Sequence, residues 1–111
     1  MTDWIDIGPL DAVPARGARV VKTAAGCVAV FRTGDDRVYA LDNACPHKGG
    51  PLAEGIVHGA SVTCPLHAWV FDLETGKAQG ADSGAVATHP AQVIDGRILL
   101  DLSQLASRKA A

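Results

Sequence analysis

Two short stretches, "ACPHKGGPLAEG" (44–55) and "TCPLHAWVFD" (63–72), each hold one cysteine and one histidine beside a proline. Cys45 and His47 are separated by one residue, Cys64 and His67 by two. Thiolates and neutral imidazoles together are metal ligands, for zinc or for iron–sulfur chemistry. A single structural zinc takes four tetrahedral ligands, and two Cys with two His is an acceptable set. Zinc sites, however, usually pair like with like, as C-x2–4-C and H-x3–5-H, whereas here each stretch mixes the two types. A binuclear [2Fe–2S] centre is the better fit when one iron takes two thiolates and the other two imidazoles. Each stretch then sends its Cys to one iron and its His to the other. On the residues alone, an iron–sulfur electron carrier and a zinc-stabilised module with no redox role both stand.

No catalytic constellation accompanies these ligands. Ser61, Ser83, Ser103 and Ser107 lie in no nucleophile-elbow context. There is no P-loop and no G-x-G-x-x-G. If the chain serves an enzyme, it does so by passing electrons. The other chemistry-bearing residues have plainer readings. Cys27 opens an apolar run and is expected in the core. His58 in "GIVHG" and His89 in "THP" are expected as solvated loop histidines, His89 with an influence on the metal environment. Lys48 is expected exposed, Trp69 and Phe71 as metal shielding or core, and Trp4 as a packed side chain.

The elements that must position the ligands are strands. "CVAVFRT" (27–33) and "RVYALDN" (37–43) flank the polar loop "TGDD" (33–36), as in a hairpin. In "AQVIDGRILLDL" (91–102), Asp95-Gly96 between two apolar runs is the strongest hairpin signal of the chain. Ile98, Leu100 and Leu102 share one face of its second arm. "ARVVKT" (18–23), "SVTC" (61–64) and "WVFDL" (69–73) are further strand candidates, and "LETG" (73–76) reads as a turn. The tail 103–111 is expected as a helical turn or a frayed end. The ligand stretches, rich in Gly and Pro, fall on loops between strands, where functional residues concentrate.

Bulk properties narrow the class. The 111 residues fit one domain. The formal net charge of −2 offers no concentrated basic patch for nucleic acid or anionic membrane. No apolar run approaches the ~18 residues of a membrane span, and "MTDWIDIGPL" does not read as a secretory signal. Three cysteines are an odd number, which argues for metal or catalysis rather than a disulfide scaffold. The expected location is cytoplasmic.

"CPH" with "CPLH" resembles the C-x-H … C-x2-H pair of the Rieske [2Fe–2S] family. Gly49, Leu52, Gly55, Phe71, Asp72 and Gly76 resemble the small and apolar positions around that motif. The resemblance implies that Cys45 and Cys64 bind the buried iron and that His47 and His67 bind the exposed one. It also implies that "SGAVATHP" (83–90) is the proline-containing third loop that covers the cluster. The implied fold is all-β and antiparallel, a sandwich-like base with a small cluster-binding lobe built by two loops. The implied domain is 1–111, with its core over 4–102.

Within the family, "HKGGPL" and "GIVHG" are most similar to the small subunit of bacterial assimilatory NAD(P)H-dependent nitrite reductase. That likeness implies a separate large subunit carrying flavin, sirohaem and [4Fe–4S], on which nitrite becomes ammonium. The alternative is a free-standing ferredoxin that feeds an oxygenase. High-potential relatives place a serine and a tyrosine where this chain has Trp69 and Phe71, which implies a potential in the lower half of the Rieske range.

Overall fold

The computed structural model describes residues 4–23, 26–43, 52–64, 69–78 and 86–101. Ten strands form there: β1 (Trp4–Pro9), β2 (Gly17–Thr23), β3 (Gly26–Arg32), β4 (Val38–Asp42), β5 (Ile56–His58), β6 (Ser61–Thr63), β7 (Val70–Asp72), β8 (Thr88–His89), β9 (Ala91–Ile94) and β10 (Arg97–Asp101). Single 3₁₀ turns occupy Leu10–Ala12 and Leu52–Glu54. The strands build three sheets ordered β1-β10-β9, β2-β3-β4-β8 and β5-β6-β7, and every pairing is antiparallel. The all-β antiparallel expectation holds.

Both expected hairpins form, for the reasons their residues suggest. Asp95 and Gly96 adopt φ of 52° and 76°, the doubly left-handed turn whose twist matches the flanking strands. The β3–β4 turn is closed by Thr33 N–H to the Arg37 carbonyl at 2.9 Å. The Thr33 hydroxyl also bonds the Asp35 carboxylate, which holds that carboxyl below the usual aspartate range.

The layering follows from the alternation of β3 and β4. Val28 and Val30 point to one side with Val38 and Ala40, and pack with Ile98 and Leu100 of β10. Ala29 and Phe31 point to the other side with Leu41, and pack with Val57, Val62 and Phe71 of the β5-β6-β7 sheet. The middle sheet is thus covered on both faces. That is why residues 28–31 are buried without interruption rather than in an in–out alternation. The sandwich-like base is β1-β10-β9 on β2-β3-β4-β8, and the lobe is a third layer on its far face.

Two expectations fail at strand ends. Cys27 is exposed, because it lies near the start of β3, opposite Lys22 and before the run turns inward. Trp4 is 40 % exposed at the outer end of β1, an edge strand with only β10 beside it. Three strands were not expected: β1, interrupted by a register shift between Asp6 and Gly8, and β5 and β8, of three and two residues. Phe31 is the largest fully buried side chain facing the lobe from the middle sheet. Phe31→Ala should lower unfolding free energy by about 3–5 kcal/mol in a urea titration. A loss below about 1 kcal/mol would contradict the double burial of the middle sheet.

Candidate metal centre

Of the four expected ligands, Cys64 lies among the described residues, while Cys45, His47 and His67 lie outside them, as do Lys48 and Gly49. Cys64 follows β6 directly, carries a free thiol and is 2 % exposed. Its wall is apolar: Leu52, Val62, Phe71, Leu73 and Val86 belong to the same buried cluster. Its backbone N–H donates to the Trp69 carbonyl at 2.7 Å, so the chain is clamped where it leaves and re-enters the second ligand stretch. A soft sulfur on a water-poor wall fits iron–sulfur ligation, where exposure and hydrogen bonding set the properties of the cluster. The exposed thiol of Cys27 shares none of these features.

The residues flanking three undescribed stretches, 44–51, 65–68 and 79–85, converge. Leu52, Cys64 and Val86 belong to the buried cluster, and Trp69 and Ala78 pack against it. Asn43, the last residue before Ala44, accepts the Ala53 N–H on its side-chain oxygen at 2.8 Å. The Val86 N–H donates to the Gly76 carbonyl at 2.8 Å, joining both sides of 79–85. The bases of all three stretches are therefore tied to one another at one end of the lobe. The residues that bound the stretches assigned to ligation and cover are thus brought together.

Two glycines make these approaches possible. A Cβ at Gly55 would overlap the carbonyl oxygen of Thr63, the residue before Cys64. Gly76 has φ of 75°, and a Cβ there would overlap the Val86 carbonyl oxygen. Gly76 ends a turn in which the Asp72 carboxylate accepts the Glu74 and Thr75 N–H groups at 2.8 and 3.2 Å. Leu52 and Phe71, read from the motif, are fully buried. The Trp69 and Phe71 rings lie 6.3 Å apart at 41°, and both contribute to the wall around Cys64.

The histidines outside the ligand set behave differently from one another. His58 is exposed, and its Nε2 bonds the Thr63 hydroxyl at 2.8 Å. His89 was expected to be solvated; instead it is buried in β8, with Nε2 2.8 Å from Asp42 Oδ1. Residues 88–89 of the expected cover loop are strand, paired with Ala40 and Leu41 of β4. The remainder of that loop before Val86 lies outside the described residues. Sequence reading missed the Asn43 and Asp42 contacts. A polar pair at the end of a strand, next to a Gly/Pro-rich ligand stretch, was the available signal.

Comparison with known proteins points the same way. Residues 3–90 match the model of the Rieske [2Fe-2S] domain. The chain is 31 % identical over 101 residues to the ferredoxin component of the naphthalene 1,2-dioxygenase/salicylate 5-hydroxylase systems of a Ralstonia species, covering 90 % of this chain and 96 % of that one. It superposes with TM-score 0.81 and 27 % identity on a structure assigned as the NADH-dependent nitrite reductase small subunit of Mycobacterium tuberculosis, covering 90 % of this chain and 95 % of the other. It superposes with TM-score 0.79 and 27 % identity on the ferredoxin of carbazole 1,9a-dioxygenase from Nocardioides aromaticivorans IC177, covering 90 % and 98 %.

Gly76→Ala should lower stability by at least about 1–3 kcal/mol, from backbone strain compounded by the clash with a carbonyl. Gly59 also has positive φ, 57°, but nothing lies within 4 Å of its Cβ position, so Gly59→Ala is the control. Thermal unfolding of the two variants compares them; equal losses would mean that the close approach at Gly76 is not needed.

Proposed function

The chain belongs to the Rieske [2Fe–2S] domain family, and we propose that it is a free-standing ferredoxin carrying electrons to the oxygenase component of an oxygenase system. As a family member it is an electron-transfer protein holding a Rieske [2Fe–2S] cluster. When bound, the cluster supplies a one-electron couple. The observation that carries the finer reading is the near end-to-end match to a dioxygenase ferredoxin component, 90 % of this chain against 96 % of that one. A carrier needs little beyond the cluster lobe and the base that supports it. Cys45 and Cys64 are assigned to the inner iron, and His47 and His67 to the outer one. Trp69 and Phe71 close the wall behind Cys64, and the Cys64 N–H bond to the Trp69 carbonyl ties together the two sides of 65–68.

A second reading is the small subunit of assimilatory nitrite reductase. It is supported by the likeness to the Mycobacterium tuberculosis structure and by the strings "HKGGPL" and "GIVHG". The partner separates the two. A carrier exchanges freely between its partners and is reoxidised by an oxygenase component. A nitrite reductase subunit stays bound to a large sirohaem protein. Among the described residues, no helix is long and apolar enough to cross a membrane.

Affinity purification of the tagged chain from its native cells should therefore yield it alone, with two irons and a brown-red absorbance. Cys64→Ser should lose both irons together, because the thiolates and imidazoles share one cluster. Retention of a stoichiometric sirohaem partner would favour the second reading, and a colourless zinc protein would overturn both.

The midpoint potential should fall in the lower half of the roughly −150 to +300 mV Rieske range, near or below zero. Phe71 has no hydroxyl to donate to a cluster sulfur, and fewer donors leave the charge added on reduction less stabilised. A redox titration checks this; a midpoint well above about +100 mV would require other donors in their place.

A further inference from the structure

A cavity of about 470 Å³ opens between the base and the lobe, walled by the β3–β4 turn on one side and by the end of β5 and the β5–β6 turn on the other. It meets β6 at the end away from Cys64, and the site described above makes no use of it. Its size is that of a pocket for a small molecule. Arg16, Asp35, Arg37, Val57 and His58 are among the residues that line it.

Arg16 is the unusual member. It is the third residue of the turn Pro14–Gly17, which is closed by the Gly17 N–H to the Pro14 carbonyl at 3.0 Å, and its φ is 56°. A turn with only its third residue left-handed favours glycine or asparagine there. Any other side chain at such a position costs stability. No polar contact of the fold offsets that cost. Among the described residues Arg19, Arg32, Arg37 and Arg97 each hold a carbonyl or a carboxylate, whereas Arg16 has no hydrogen-bond or ion-pair partner. Its guanidinium is nevertheless placed. The side chain lies across Gly34, where a Cβ would stand 2.9 Å from Nε and 3.6 Å from Nη2.

The neighbouring charges decide what the cavity takes. The Asp35 carboxylate accepts the Thr33 hydroxyl and pairs with Arg37 Nε at 3.2 Å, so the charges of Asp35 and Arg37 offset each other. His58 Nε2 is engaged with the Thr63 hydroxyl. Arg16 is left with a full positive charge and a planar fork of donors, the geometry that grips a carboxylate by two parallel hydrogen bonds. Asp35 on the same wall disfavours a ligand with a second negative charge, such as a phosphate dianion. Val57 and Ala60 offer apolar surface to a short hydrocarbon body.

We propose that this cavity is a binding site for a small monocarboxylate, with Arg16 as the residue that holds the carboxylate. The site is separate from the cluster and does not depend on its assignment.

The test titrates ¹⁵N-labelled, cluster-loaded protein with sodium benzoate, replacing chloride at constant ionic strength. The Arg16 Nε–H and the backbone N–H groups of Gly34 and Gly59 should shift and saturate, with a Kd of about 1 mM or below. Two variants separate a site from general charge and from a structural role. Arg16→Gly suits the left-handed backbone, so it should melt no lower than wild type yet bind benzoate at least tenfold more weakly. Arg97→Gln removes an equal charge outside the cavity and should bind within about twofold of wild type. Benzamide, the neutral analogue, and inorganic phosphate should each bind at least tenfold more weakly than benzoate. The proposal falls if the shifts are still linear at about 20 mM benzoate, which is contact without a site. It falls if Arg16→Gly binds within about threefold of wild type, or if Arg97→Gln weakens binding as much as Arg16→Gly. A melting temperature for Arg16→Gly clearly below wild type would mean that the arginine serves the fold, and would overturn it as well. Benzamide binding like benzoate would remove the carboxylate from the recognition, and phosphate binding more tightly would replace it with another anion; either result sinks the assignment.

Discussion

The structure depends on the burial of one sheet from both sides. Strands β3 and β4 send Val28, Val30, Val38 and Ala40 one way and Ala29, Phe31 and Leu41 the other, and both sets are buried. The first set joins the base into a stable unit with Ile98 and Leu100. The second set gives the lobe its floor. Strands β5, β6 and β7 have three residues each, and a sheet that small has no core of its own. Its Val57, Val62 and Phe71 are buried only because Phe31 and Leu41 lie beneath them. The metal-binding lobe is therefore an attachment to the middle sheet, and its geometry is inherited from that wall.

The inheritance reaches Cys64 by short steps. Val62 seats β6 on the floor, Thr63 faces Val70 across the β6–β7 pair, and Cys64 follows with its N–H committed to the Trp69 carbonyl. Gly55 lets the turn at Leu52–Glu54 press against Thr63, and Gly76 lets the next turn press against Val86. Each close approach couples the base of one ligand or cover stretch to its neighbour. A cluster that must bind ligands from two stretches gains from this, since ordering them beforehand reduces the entropy lost on binding. Polar groups do the rest at the β4 end, where Asn43 holds Ala53 and His89 holds Asp42.

How much of this the sequence shows depends on the range of the interaction responsible. The Asp95-Gly96 hairpin was legible because turn chemistry is local, and the strands β2, β3, β4, β9 and β10 because their apolar runs are long. The ligand set was proposed from spacing; of its members, Cys64 is found buried against an apolar wall, while Cys45, His47 and His67 fall outside the described residues. The three-residue strands β6 and β7 were legible where they sit inside apolar runs, whereas β5, β8 and β1, lying beside glycines or at a polar edge, were missed. His89 was misread for a further reason: its partner Asp42 lies 47 positions away, and only the pairing of β8 with β4 brings them together. Cys27 and Trp4 were misplaced because an apolar residue at the end of a strand is decided by what covers that end, which composition does not encode.

The same hierarchy explains why one scaffold resembles proteins from two different redox systems equally well. Superposition reaches TM-scores of 0.81 and 0.79 on structures assigned to nitrite reduction and to carbazole dioxygenation. What superposes is 90 % of the chain, and so the scaffold with its requirements for holding a cluster in place. Those requirements are common to any Rieske electron carrier, so fold likeness measures them and not the partner. Discrimination between partners acts instead through groups that face outward, where a change costs little stability and alters contact directly. Ile56 illustrates the separation: it is 70 % exposed on the edge strand β5, paired with Thr63, one residue from the buried Cys64. Its neighbour Val57 points inward and packs on the floor, so within two consecutive residues one serves the scaffold and the other is free to serve recognition.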